Sequence, residues 1–191
     1  MYLFKRMDRL VEMAAYSVQN RFSKTALLVL TSIASAVTAL LQSAGGTLPM
    51  IGLLISPLST LPVVLITIVS PLLGFYSFVL TCLLLVIVQP SELLIFIFTT
   101  GLLGLGLGQG FTFFKRRILI VTTGSICLIS GICIMLIGFQ FPLFGPGFHS
   151  IGNFYLWLSL FFFSWGYSLV WVEITCFILK KYVSRRLRSK P

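Results

Sequence analysis

From Thr25 to Leu179 the chain is a succession of apolar runs with almost no charge in them, and this fixes its solvent. A run of roughly 18 or more uncharged apolar residues reads as a membrane-crossing helix, because in hydrocarbon a helix satisfies its own backbone polar groups. Only 9% of the 191 residues are charged while 58% are hydrophobic, too little polar surface to keep a soluble domain dispersed. No polar stretch is long enough for a second domain, so a single membrane domain is expected.

The basic residues count the spans. The 14 Lys and Arg side chains fall in three groups: Lys5, Arg6, Arg9, Arg21 and Lys24 at the start, Lys115-Arg116-Arg117 inside, and a tail from Lys180 onward. Such groups mark the cytoplasmic side of membrane proteins. An even number of spans must separate groups on the same side. The roughly 90 residues between Lys24 and Lys115 hold four spans of ~20 residues, and residues 118–179 hold two. The expected architecture is therefore all-α, with about six transmembrane helices and both termini in the cytoplasm. The formal net charge of +10 does not point to nucleic acid, since no basic face with interleaved aromatics is available in water.

Turn signals set the boundaries. Helix one is expected over about 25–43, ending at Ala44-Gly45-Gly46, and is read as an uncleaved span rather than a signal peptide. Helix two begins near Leu48 and contains Pro49, Pro57 and Pro62, which favour kinks. Helix three lies between Ser70-Pro71 and Gln89-Pro90, helix four over about 91–114, helix five over 118–139 and helix six over 153–179. Ahead of them, Leu3, Phe4, Met7, Leu10, Val11, Ala14, Val18 and Phe22 recur at helical spacing. Residues 1–24 thus read as an amphipathic helix on the inner leaflet, with a protein-binding helix as the alternative. Residues 25–179 form the transmembrane domain and 180–191 a basic cytoplasmic tail.

Chemistry-bearing residues are scarce. Cys82, Cys127, Cys133 and Cys176 all sit in apolar runs without a CxxC pair, and read as buried thiols. Acidic groups inside the apolar region reduce to Glu92 and Glu173, each given a structural reading near a helix end or interface. No paired carboxylates, nucleophile–base pair or metal-ligating set stands out, so neither an enzyme nor a cofactor or metal is expected. Trp157, Phe161 and Trp165 recur every four residues on helix six, with Tyr155, Asn153 and His149 before them and Gln42 at the outer end of helix one. A flat ligand could stack there, although interfacial aromatics are also ordinary membrane anchors. Small residues four apart permit close helix approach: Gly104 and Gly108, Gly106 and Gly110, Ser32 and Ala36, Ser35 and Ala39.

The small-residue stretch 32–39, Leu61-Pro62-Val63-Val64, Pro71-Leu72-Leu73-Gly74, the Gly101–Gly108 run and Lys115-Arg116-Arg117 together resemble substrate-binding S components of energy-coupling factor importers. The likeness covers about half the chain and is closest to an uncharacterised bacterial membrane family grouped with them. The resemblance implies a bundle in the cytoplasmic (inner) membrane that captures a small vitamin-like molecule at its outer end. It also implies partners: a transmembrane coupling subunit, with two ATPases, contacted through small residues of the first helix. That role would fall on Ser32, Ser35, Ala36 and Ala39, and the ligand on Gln42, His149, Asn153, Trp157, Phe161 and Trp165. The chain has no ATP-binding loop of its own. A non-catalytic adaptor of the cell envelope is the alternative.

Overall fold

The computed structural model describes residues 7–48, 50–139 and 154–188. Those residues form seven helices: α1 (Asp8–Gln19), α2 (Lys24–Thr47), α3 (Ile51–Val69), α4 (Pro71–Val88), α5 (Pro90–Phe113), α6 (Arg117–Gly138) and α7 (Phe154–Arg188). Each of α2 to α7 is long and apolar enough to cross a membrane. This is a multi-pass membrane protein by length and composition, with short turns at Ser70, at Gln89 and at 114–116 making neighbours antiparallel. The successive turns give the bundle two ends. The basic end carries Lys24, Ser70, Lys115 and the last turns of α7; the far end carries Thr47, Gln89 and Phe154.

Prolines and small residues shape the helices. Pro71 and Pro90 sit in the first turns of α4 and α5, where a missing N–H costs nothing. Pro57 lies in a tight one-turn 3-10 segment, Ser56–Ser59, that breaks the regular winding of α3. The expected stop at Gly45-Gly46 does not occur. Helix α2 continues through both glycines to Thr47, and Gly52 packs so closely on the Ala44 carbonyl that a Cβ there would lie 1.9 Å from it. Two π-type turns, Phe96–Thr100 in α5 and Ile134–Gly138 in α6, have no signature in the sequence.

Packing follows the small residues. Thr31, Ser35, Thr38 and Ala39 form a buried seam on α2, and Ser77, Thr81 and Leu85 of α4 pack toward it. Ser35 Oγ donates to the Thr31 carbonyl at 2.8 Å and shares a 3.0 Å hydrogen bond with Ser77 Oγ. Gly104 and Gly108 of α5 face α3, where added Cβ atoms would lie 2.9 Å from Val63 and 2.3 Å from Thr67. Gly106 faces Cys127 of α6. Both glycine faces are thus occupied within the chain, around a core of Val64, Leu103, Leu107, Ile120, Val121 and Val172. Across α6 and α7, Ser164 Oγ donates to the Ser125 carbonyl at 3.1 Å.

Helix α1 lays its apolar face on the bundle. Met7, Val11 and Ala14 are buried in the main core against the basic end of the bundle. The Met7 amide donates to the Lys115 carbonyl at 3.0 Å, and Gln19 Nε2 donates to the Val69 carbonyl. The helix straps together two turns of the bundle. Helix α7 continues past Leu179 to Arg188, so the expected tail is helical at its start.

Candidate functional site

Besides the hydroxyl seams already described, two groups that include charged or amide side chains are buried, one toward each end of the bundle. Polar groups removed from water must find partners, so each group reports a specific arrangement rather than chance.

At the far end Gln42 is fully buried, and both its amide oxygen and its amide nitrogen are hydrogen-bonded. Its Oε1 accepts from Ser59 Oγ and from Thr100 Oγ1, both at 2.8 Å, and its Nε2 donates to Glu92 Oε2 at 2.9 Å. Three spans meet at this one amide: α2 supplies Gln42, α3 Ser59, and α5 both Glu92 and Thr100. Local sequence explains the meeting. The 3-10 turn at Ser56–Ser59 brings Ser59 inward, and the π-type turn rotates Thr100 onto the same side as Glu92. The missing side chain of Gly45 makes room for Glu92, whose carboxylate oxygens lie 3.0 Å from where a Cβ would stand. Glu92 lies in the first turn of its helix, where a negative charge is favoured.

At the basic end Arg117, only 1% exposed, makes a two-pronged ion pair with Glu173. Nη1 lies 2.8 Å from Oε1, and Nη2 donates to Oε2 at 3.2 Å. Arg117 therefore does not stand in water with Lys115 and Arg116. It is the first residue of α6, drawn inward to the one acidic residue on α7. Glu173, read from the sequence as a group near the interface, reaches across to α6.

The expected ligand group divides. Gln42 belongs to the Ser59–Thr100–Glu92 cluster and not to the aromatic stripe of α7. Trp157 and Trp165 are half-buried and pack on the main core, whereas Phe161 and Tyr155 are exposed on the outside. His149 and Asn153 lie outside the described residues. The small residues of α2 divide as well: Ser35 and Ala39 are buried in the seam with α4, while Ser32 and Ala36 are exposed. Sequence reasoning missed Ser59 and Thr100, for which an apolar helix with scattered hydroxyls gives no signal. It named Glu92 and Gln42 separately but had nothing to pair them.

Among the described residues, no three of His, Cys, Asp and Glu gather as a metal site would require. The four cysteines are free thiols. The fold and the two buried clusters define a multi-span helical membrane protein that devotes its few polar groups to holding helices together. Scans of protein-family models, of curated proteins and of solved structures find no match for this chain.

Proposed function

We propose that the chain is a membrane-embedded substrate-binding subunit of the S-component kind, with both termini in the cytoplasm of the cell whose inner membrane it occupies. It captures a small vitamin-like molecule at its far end and works with a transmembrane coupling subunit and ATPases. One observation carries this reading. The first span has a sealed small-residue face, Ser35 and Ala39, and an open one, Ser32 and Ala36, which is a surface suited to a partner's helix.

The test is gentle purification from native membranes with mass spectrometry of the proteins and small molecules retained. The wild type is expected to bring down a coupling subunit with its ATPases, together with one small organic ligand. Ser32→Leu with Ala36→Leu should abolish the partner and leave the fold intact. Retention of neither ligand nor ATPase by the wild type would defeat the proposal.

A second reading, a non-catalytic envelope adaptor, is favoured by α7. Its 35 residues reach about 52 Å at 1.5 Å each, well beyond a ~30 Å hydrocarbon core, and present Lys180, Lys181 and Arg185 outside it. Recovery of envelope enzymes in place of ATPases would select it.

A further inference from the structure

The side of the bundle toward the basic end holds an apolar groove of about 340 Å³ that opens laterally. Helix α1 roofs it with Ala14, Ala15 and Val18, α2 contributes Leu30 and Ala34, and α3 and α7 complete the walls and floor, ending at Tyr182. None of Asp8, Glu12 and Glu173 lines it; the first two line a separate cavity on the other flank of α1. Taking ~30 Å³ for a water-sized unit, the groove holds about eleven methylene groups, more than half of an acyl chain.

The charged residues that follow its lining along the chain are basic. On α7, Ile178 and Tyr182 line the groove, and Lys181 and Arg185 follow them at three-residue spacing, both exposed. Just past the end of α1, Arg21 follows Val18 by three residues; its amide donates to the Val18 carbonyl at 3.1 Å and its guanidinium lies over the Phe22 ring, 5.6 Å from the centroid. The groove is also distinct from the face proposed above for a partner. At roughly 100° per residue, Leu30 and Ala34 lie on one flank of the buried Ser35 seam of α2, and Ser32 and Ala36 on the other.

We infer that this groove is a discrete site for one anionic phospholipid, an acyl chain lying under α1 and the headgroup held by Arg21, Lys181 and Arg185. Basic groups at a membrane surface favour anionic headgroups by roughly fivefold each, so the rim selects the lipid and the groove retains it. This assignment does not rest on the transport reading.

The experiment uses the full chain reconstituted in bilayer discs of equal phosphatidylglycerol and phosphatidylcholine, released into mild detergent and weighed by native mass spectrometry. One phosphatidylglycerol per chain should survive, preferred at least tenfold over phosphatidylcholine. Lys181→Gln with Arg185→Gln, both surface changes that leave folding alone, should reduce that preference by about an order of magnitude. Ala34→Trp should remove the lipid by filling the groove, and Leu40→Trp, at an exposed site elsewhere on α2, should not. Equal retention of the two lipids by the wild type would overturn the assignment. So would a preference untouched by the charge changes, or a protein partner held in the groove with no lipid.

Discussion

Glu173→Gln tests the buried ion pair most sharply. With charge centres about 4 Å apart, the attraction is roughly 4 kcal/mol at an effective dielectric of about 20. Taking Arg117 out of water costs several kcal/mol, so the intact pair is close to break-even. Removing the carboxylate deletes the attraction and leaves the cost. Because Arg117 is 1% exposed, it has no water to recover, and the loss should reach about 3–5 kcal/mol. The reverse change, Arg117→Met, strands a carboxylate whose side chain is 34% exposed, which regains part of its hydration; about 1–2 kcal/mol is expected. Replacing both, Arg117→Met with Glu173→Leu, should return the protein to near wild-type stability. The assay is thermal unfolding in detergent. At about 2–4 °C per kcal/mol for a chain of this size, Glu173→Gln lowers Tm by roughly 10 °C and the double variant by very little. Additive single effects, or an Arg117 variant worse than the Glu173 variant, would show that the pair is not what holds α6 to α7.

Three further outcomes can be checked by the same unfolding measurement. Gly131→Ala places a Cβ 1.6 Å from the Phe98 backbone carbonyl and should cost about 3 kcal/mol, while Gly166→Ala, with nothing within 4 Å, should be neutral or gain up to ~1 kcal/mol. Gln42→Leu leaves Ser59, Thr100 and Glu92 without their shared amide, a loss of about 2–4 kcal/mol, whereas Glu92→Gln should cost under half as much. Ser35→Leu should destabilise by about 2 kcal/mol through the α2–α4 seam, and Ser32→Leu by none.

Span number was legible because charge and turn residues are one-dimensional signals. Lys115 and the Ser70-Pro71 and Gln89-Pro90 steps delimit helices wherever the bundle places them, and the observed turns fall at those points. Which face of a helix meets which neighbour was not legible. In lipid both interior and exterior are apolar, so the contrast that orients a helix in water is missing. Ser32–Ala36 and Ser35–Ala39 look alike on paper, and only the position of Ser77 separates them. The close approach of Gly52 to the Ala44 carbonyl was hidden for a related reason: it is a contact between two helices. Gln42 was noticed as polar, but its partners sit on α3 and α5, at separations no local pattern encodes.

The bond between the Met7 amide and the Lys115 carbonyl also sets an order of assembly. The acceptor is made only after four spans have left the ribosome, so α1, made ahead of those spans, is among the last to find its seat. Until then Met7, Val11 and Ala14 have no core to enter, and the membrane surface is the place where such a segment can wait. Truncations that end before residue 115 should accordingly leave their amino-terminal helix open to protease, and chains that reach α6 should protect it.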